Sequence, residues 1–226
     1  SLLIAPTIAE HSASAMVGAM SKERVVPFFS TFGMFAIAES YNQQRLSDQN
    51  GAAPKIVVTH CGLDVGEDGP THQCIDYVSL VQNLYGFELY VPADPNETDR
   101  IVRTTAGRYA PTVVAMGRSK LPTITLPDGT PAFGGDHTFV PGRWTTVRSG
   151  GDVAVFAYGP MVYRAVQVAD QLAAEGIAVT VVNASSLKPI DEACVLHLAR
   201  SVGKLVTYED QCVNLSLIHI SEPTRP

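Results

Sequence analysis

The chain has 226 residues, of which 46% are hydrophobic and 17% charged, so it can bury a core and does not have the composition of a disordered tail. Its formal net charge of −6 argues against the basic surface that sequence-independent nucleic-acid binding needs, and no apolar run approaches the roughly 20 residues of a membrane span. Four cysteines without CxxC spacing do not form a disulfide framework, so we expect a cytoplasmic protein.

Hydrophobic periodicity predicts alternating helices and strands in the first half of the chain. In chain order these are a helix over 8–20, a strand over 25–29, a helix over 32–46, a strand over 55–59, a helix over 73–83, a strand over 88–91, a helix over 95–108 and a strand over 111–116. Strands separated by helices of this length imply crossover connections and a mostly parallel sheet.

Eight prolines and glycines lie between Pro122 and Gly142, a density typical of an interdomain linker. The alternation then resumes with a strand over 152–158, a helix over 161–174, a strand over 178–183, a helix over 191–200 and a strand over 204–208. The predicted fold class is therefore α/β, with two domains that each contain a mostly parallel sheet flanked by helices. Their predicted bounds are 1–121 for the first domain, 122–146 for the linker and 147–214 for the second domain.

Both ends of the chain are unusual. Residue 1 is serine and a helical pattern begins a few residues later, so we expect the first domain to begin before Ser1. Residues 215–225 read LSLIHISEPTR, which resembles the translation of a sequencing-library adapter. We therefore expect 215–226 to be non-native sequence, with an ordinary polar tail as the alternative.

The segment 59–73, THCGLDVGEDGPTHQ, gathers two imidazoles and three carboxylates beside several glycines. It follows a predicted strand and opens a helix, and parallel sheets place their ligand sites at the carboxyl ends of strands. Helix capping by Thr71 and a turn closed by Asp68 would explain one or two of these residues but not the whole set. The segment is therefore a candidate ligand site.

The string GEDGPTHQ, with His60 twelve residues before His72, resembles the signature of the pyrimidine-binding domain of transketolases. Four weaker matches follow the family's order. They are Ile8-Ala9-Glu10 for the segment with the cofactor-activating glutamate, residues 30–35 (STFGMF) for the aromatic segment under the cofactor ring, Gly117-Arg118 for the substrate-phosphate arginine, and residues 186–191 (SLKPID) for the transketolase C-terminal domain. The resemblance covers about residues 3–212.

The resemblance implies thiamine diphosphate as cofactor and two catalytic residues, Glu10 and His72. Glu10 would activate the cofactor through N1′ of its aminopyrimidine ring, and Phe32 and Phe35 would pack on that ring. His72 would lie beside the 4′-amino group and the substrate oxygen and would move protons there. The alternatives are a surface glutamate and two phenylalanines of the core. Ala38 stands where the family usually has tyrosine, so part of the ring contact should differ.

The resemblance also implies three substrate-binding residues. Asp68 would hydrogen-bond a hydroxyl of a ketose, and His60 and Arg118 would bind a sugar phosphate, for which a guanidinium is suited because it donates a bidentate pair. Taken singly, a histidine or an arginine of this kind is more often a satisfied polar residue or a surface charge.

In this family a separate domain, marked by Gly-Asp-Gly, holds the cofactor's diphosphate and its Mg²⁺, and no Gly-Asp-Gly occurs in this chain. We therefore expect no metal ligands here. The anchoring half of the site would lie upstream in a longer polypeptide or in a separate subunit, within a homodimer or a heterotetramer.

The predicted function is that of a transketolase subunit or fragment, which transfers a two-carbon ketol unit between sugar phosphates in the pentose phosphate pathway. A 1-deoxyxylulose-5-phosphate synthase is an alternative, since it shares Asp-Gly-x-Thr-His-Gln, although the Glu-Asp-Gly-Pro form favours transketolase. The β subunit of a 2-oxo acid dehydrogenase and a noncatalytic partner subunit are further alternatives. Retention of Glu10 and His72 argues against the last.

Overall fold

The computed structural model describes residues 3–212 and Ser216, and the chain divides into two compact units. The first unit comprises Ser1–Glu88 and Thr105–Arg118, and the second comprises Leu89–Thr104 and Ser119–Pro226. Apart from Ser216, the predicted non-native tail at 215–226 lies outside the described residues.

Helices and strands alternate through residues 3–118, as the hydrophobic pattern predicts. The elements are α1 (Glu10–Lys22), β1 (Phe28–Phe32), a π-helical segment (Met34–Glu39), α2 (Tyr41–Gln49), β2 (Lys55–Thr59), a single 3₁₀ turn (Gly66–Asp68), α3 (Tyr77–Gln82), β3 (Glu88–Tyr90), α4 (Pro95–Ala106) and β4 (Thr112–Ala115). All of them belong to the first unit except most of β3 and α4.

The first unit is built on a parallel sheet. Strand β1 pairs with β2 from Phe28↔Lys55 to Phe32↔Thr59, and β2 pairs with β4 from Lys55↔Thr112 to Val58↔Ala115. Strand β2 is a β-branched run after Pro54, and it occupies the predicted residues. Because the three strands are parallel, their carboxyl ends lie at one edge of the sheet, where ligand sites form in such folds.

Three first-unit elements differ from the prediction, among them α3, which begins at Tyr77 and not at residue 73. The strand expected over 25–29 begins at Phe28, because Pro27 has no N–H to donate to a ladder and Val25 and Val26 remain exposed. The helix expected over 32–46 is divided at Ser40 into the π-helical segment and α2. The Ser40 N–H and hydroxyl both donate to the Phe35 carbonyl, which fixes the wider i→i+5 turn.

The second unit contains a mixed sheet in the order β5-β7-β6-β9. Its further elements are β5 (Thr145–Arg148), β6 (Val153–Ala157), α5 (Pro160–Ala174), β7 (Val179–Asn183), β8 (Ser186–Lys188), α6 (Glu192–Ser201) and β9 (Leu205–Tyr208). Strand β6 is parallel to β7 and β9, β5 is antiparallel to β7, and β8 is antiparallel to β3. The predicted α/β class, with mostly parallel sheets flanked by helices, is confirmed.

One face of α5 forms the centre of the second unit's core. Pro160 begins the helix, Gly176 follows its end in a left-handed conformation, and the buried stripe includes Val162, Ala165 and Val166. The segment 122–142 contributes to the same core through Ile124 and Phe133, which are fully buried. This segment is therefore packed into the core although it is rich in proline and glycine.

A buried carboxyl network fixes the start of α4. Asp94 Oδ1 accepts the Glu97 N–H at 2.8 Å, while Glu97 accepts the Ala93 N–H at 2.7 Å and the Asn183 amide at 2.8 Å. Burial raises the pKa of Glu97 to about 7, although hydrogen bonds from Ser185, Ala93 and Asn183 oppose the shift. The carboxyl therefore takes up a proton in the folded protein at a higher pH than in the unfolded chain.

This network predicts a pH-dependent stability. Above the ordinary pKa of 4.5 the unfolded Glu97 ionises first, so the free energy of unfolding should fall as pH rises from 4.5 to about 7. The expected loss is about 3 kcal/mol, and Glu97→Gln should remove that part of the pH dependence. Denaturant unfolding between pH 4 and 8 measures it, with the exposed Glu175→Gln as control. Parallel profiles for the wild type and Glu97→Gln would contradict the prediction.

None of the helices that the structure describes is long and apolar enough to cross a membrane.

Candidate functional site

The predicted site residues of the first unit follow the carboxyl ends of its three parallel strands. Phe32 is the last residue of β1, His60 follows β2, and Arg118 lies three residues beyond β4. The loop after β2 carries Asp68 and His72 back toward the same edge. The sheet topology thus explains how residues far apart in sequence share one site.

Four aromatic side chains form a cluster at this edge. Phe32 stacks on His60 with ring centroids 3.8 Å apart and on Phe35 at 5.8 Å. His72 meets both phenylalanines edge-on, at 5.8 Å from Phe32 and 5.4 Å from Phe35. Phe35 is the second residue of the π-helical segment and follows Phe32 by three residues.

A polar network joins the cluster through His60. Asp68 Oδ2 lies 3.3 Å from His60 Nε2 and 2.8 Å from Arg118 Nε, within ion-pair distance of both. Arg118 Nη2 also donates to Glu67 Oε1 at 2.7 Å. A hydrogen bond from its own backbone N–H, reinforced by Arg118, lowers the pKa of the Glu67 carboxyl. Glu67 is a site residue that the sequence reasoning missed, because an exposed acid in a glycine-rich loop is typical of a turn.

Two threonines orient the two histidines. Thr59 Oγ1 is hydrogen-bonded to Nδ1 of His60, and Thr71 Oγ1 to Nδ1 of His72, each at 2.9 Å. The repeated Thr-His pair is a signal that could have revealed both contacts. Thr71 does not cap a helix at residue 73, since α3 begins only at Tyr77.

The backbone around His60 is constrained. His60 has φ +60°, a left-handed conformation that is uncommon outside glycine and found at functional sites. Its carbonyl accepts the Cys74 N–H at 3.2 Å, and the Gly62 N–H donates to the Cys74 carbonyl at 2.9 Å. Cys61 and Cys74 are thus paired as in a parallel ladder, which ties the His60 and His72 ends of the loop together.

Gly33 is packed against this tie. A Cβ on Gly33 would lie 2.6 Å from Cys61 Sγ and 3.1 Å from Cys74 Cβ. The missing side chain lets the turn after Phe32 approach the paired cysteines. Both cysteines are buried, so neither can turn away into solvent.

Gly33→Ala should therefore lower the free energy of unfolding by about 1–3 kcal/mol through overpacking. Cys61→Ala removes the nearest atom, so the same glycine substitution should be less harmful in that background, a coupling that a double-mutant cycle measures. The control is Gly151→Ala, where a Cβ meets nothing within 4 Å. Equal effects at Gly33 in both backgrounds would show that the sulfur contact is not the cause.

Glu10 is set apart from the cluster. It is half-buried in the first turn of α1, and its Oε1 accepts from the Thr31 hydroxyl at 3.5 Å. Thr31 precedes Phe32 at the end of β1, so Glu10 lies beside the same strand end. The structure links the other six predicted residues to one another, and Glu10 reaches that strand end through Thr31.

Comparison with known proteins decides the family. A model described as the pyrimidine-binding domain of transketolase matches residues 3–123, and one described as the transketolase C-terminal domain matches residues 142–220. The chain belongs to the transketolase family. The order of the two matched domains is the one that the sequence motifs predict.

Individual relatives of the transketolase family support the assignment. The chain is 33% identical over 216 residues to a 1-deoxy-D-xylulose-5-phosphate synthase of Synechococcus elongatus, and 25% identical over 204 residues to transketolase-like protein 2 of Bos taurus. These matches cover 91% and 89% of this chain but only 31% of each relative. The chain thus spans about a third of the length of the curated relatives it matches.

A solved structure described as a split-gene transketolase in an inactive β4 tetramer is similar along nearly the whole chain. Its TM-score is 0.83 at 33% identity, and the match covers 96% of this chain and 70% of that one.

Within the described residues, no group of three or more His, Cys, Asp or Glu side chains is arranged to hold a metal ion.

Proposed function

We propose that this chain supplies the pyrimidine-binding half of a thiamine-diphosphate-dependent transferase site. The observation that supports it best is the convergence of Phe32, Phe35 and His72 on the strand end beside which Glu10 lies, in a chain that matches the pyrimidine-binding domain. Glu10, Phe32, Phe35 and His72 are the proposed cofactor-binding residues, and Glu10 and His72 the catalytic ones. The domain bounds at 121 and 147 remain predictions.

The residues present fit such a cofactor. Glu10 is half-buried, and the hydrogen bond that it accepts from the Thr31 hydroxyl involves Oε1 and not Oε2. The paired phenylalanines are also half-buried and offer an apolar surface for a planar ring. When bound, thiamine diphosphate supplies the nucleophilic carbon that adds to a substrate carbonyl. Glu10 holds a proton at N1′ of the aminopyrimidine, and the phenylalanines fix the plane of that ring.

His72 is the proposed proton carrier to the substrate. Its Nδ1 is hydrogen-bonded to Thr71, and its ring is held edge-on by Phe32 and Phe35. This leaves Nε2 to exchange a proton with a substrate oxygen.

The substrate assignment is ketol transfer between sugar phosphates, as in a transketolase. Asp68 would accept a hydrogen bond from a hydroxyl of the ketose, and His60 and Arg118 would bind the phosphate, for which a guanidinium is suited because it donates a bidentate pair. The proximity of these three side chains supports a common subsite.

A partner domain or subunit would hold the diphosphate and Mg²⁺. The similarity to a split-gene transketolase supports a separate subunit, which would form a heterotetramer with this chain, whereas a partner domain in the same polypeptide would give a homodimer. On this assignment the protein would work in the pentose phosphate pathway.

A second candidate is 1-deoxyxylulose-5-phosphate synthesis, favoured by the 33% identity to the Synechococcus enzyme. That product lacks the C1 hydroxyl of a ketose, so its two-carbon unit must come from a 2-oxo acid such as pyruvate and its other three carbons from a triose phosphate.

Donor choice distinguishes the candidates. The chain with its diphosphate-binding partner is offered xylulose 5-phosphate with an aldose phosphate, or pyruvate with glyceraldehyde 3-phosphate. We expect transfer from xylulose 5-phosphate, with Asp68→Ala slowing it. Release of CO₂ from pyruvate would support the second candidate, and inactivity with both donors in a cofactor-loaded complex would indicate a noncatalytic partner.

A further inference from the structure

One edge of the Arg118 guanidinium faces two carboxylates. Its Nη2 donates to Glu67 Oε1 at 2.7 Å, and its Nε lies 2.8 Å from Asp68 Oδ2 in an ion pair. These two N–H groups point the same way and form an edge that can grip a carboxylate or phosphate with two parallel hydrogen bonds. Glu67 therefore occupies one donor that a substrate phosphate would need, and Asp68 lies against the other.

The two carboxylates are held unequally. The Asp68 side chain is 31% exposed and is shared between Arg118 and His60 Nε2, which lies 3.3 Å away. The Glu67 side chain is 80% exposed, and its described ion-pair partner is Arg118. Glu67 can turn into solvent by side-chain rotation alone, whereas Asp68 is fixed from two sides.

The 3₁₀ turn explains why adjacent acids reach one arginine. Gly66 begins it with φ +69°, and a Cβ there would lie 3.6 Å from Arg118 Nη1. The turn then presents Glu67 and Asp68 to the same guanidinium. A single short turn thus places two carboxylates next to Arg118.

The charge balance makes Glu67 the group that must move. A sugar phosphate carries close to two negative charges at neutral pH. With both carboxylates in place it would meet two like charges around one guanidinium. Release of Glu67 removes one of these charges and frees Nη2, while Asp68 keeps Arg118 aimed through Nε.

We propose that Glu67 is a specificity-determining residue, which competes with the substrate phosphate for Arg118 and yields only to a strongly charged anion. The inference rests on the proposed role of Arg118 in binding substrate phosphate. Glu67 occupies the anion subsite in the absence of substrate, so weakly charged or unphosphorylated compounds gain nothing from Arg118. A dianionic phosphate offers more than the single exposed carboxylate that it replaces.

The test is a titration with inorganic phosphate. Binding to the full chain is followed by calorimetry at low ionic strength, for the wild type, Glu67→Gln and Glu23→Gln. Glu23 is exposed and directly follows α1. Its substitution by glutamine removes the same charge as Glu67→Gln but leaves the surroundings of Arg118 unchanged. We expect Glu67→Gln to bind phosphate about two- to five-fold more tightly than the wild type, because this factor corresponds to the free energy of one exposed ion pair. Glu23→Gln should bind phosphate as the wild type does. The difference should shrink at high salt.

A kinetic measurement on the complex with its diphosphate-binding partner supports the same point. Glu67→Gln should lower KM for the phosphorylated donor by a similar factor and leave kcat unchanged. An unphosphorylated ketose should show no change in KM.

Arg118→Ala separates failure of this inference from failure of the proposed function. If Arg118→Ala abolishes phosphate binding while Glu67→Gln equals the wild type or weakens it, the competition is overturned and the role of Arg118 stands. If Arg118→Ala leaves phosphate binding intact, the assignment of Arg118 itself is overturned, and the inference with it. Glu67→Ala is the second variant, and its expected outcome is that of Glu67→Gln.

Discussion

Replacing Glu10 by glutamine is expected to slow ketol transfer by about 10³-fold, the range of a positioned acid or base. The glutamine keeps the size of the side chain and can still accept a hydrogen bond from Thr31. It cannot exchange a proton with N1′ of the aminopyrimidine. The rate should therefore fall through kcat, while the fold and the binding of substrate persist.

The assay is steady-state transfer from xylulose 5-phosphate by the chain in complex with its diphosphate-binding partner. Glu23→Gln is the matched control, because it makes the same chemical change at an exposed position after α1. Thr31→Val should give a smaller loss, since it removes the hydrogen bond that positions Glu10 and leaves the carboxyl. Wild-type activity in Glu10→Gln would refute the assignment of that residue.

The second large effect concerns cofactor affinity. The chain alone should bind thiamine diphosphate about 10³-fold more weakly than the complex with its partner, because two or three charge-assisted hydrogen bonds to the diphosphate are missing. Calorimetry with and without the diphosphate-binding partner measures the ratio. In the complex, Phe32→Ala should weaken binding because it removes apolar surface from the ring site.

Binding of equal strength with and without the partner would contradict the divided site. It would mean that this chain also binds the diphosphate group of the cofactor. The titration is therefore made with and without Mg²⁺, since in the divided site the metal should strengthen binding only in the presence of the partner.

Much of the fold follows from local sequence pattern. Strand β2 was predictable because a β-branched run lies between Pro54 and a glycine-rich loop, and α5 because its apolar stripe ends at Gly176. Strands β5 and β8 were not predicted. They have four and three residues and run antiparallel to their partners, so neither length nor periodicity marks them.

The π-helical segment also escaped prediction, since its wider turn depends on the two hydrogen bonds from Ser40 to Phe35. The apolar spacing of residues 32–46 resembles that of an ordinary helix. Only the tertiary structure shows where the regular helical spacing is interrupted.

The residues of the candidate site could be predicted from the sequence only where they belong to a recognisable motif. His60, Asp68 and Arg118 were grouped by resemblance, and the parallel sheet explains their proximity. The participation of Glu67 and the close packing of Gly33 depend on distances that no motif records. Such contacts arise from the turn and the cysteine pairing, which are properties of the folded chain.

The most direct measurement is a structure of the chain bound to its diphosphate-binding partner and thiamine diphosphate. It should show the Glu10 carboxyl within hydrogen-bond distance, about 2.6–3.2 Å, of N1′, with the aminopyrimidine against Phe32 and Phe35. A Glu10 side chain directed into solvent, or an aminopyrimidine bound away from the end of β1, would contradict the proposed function.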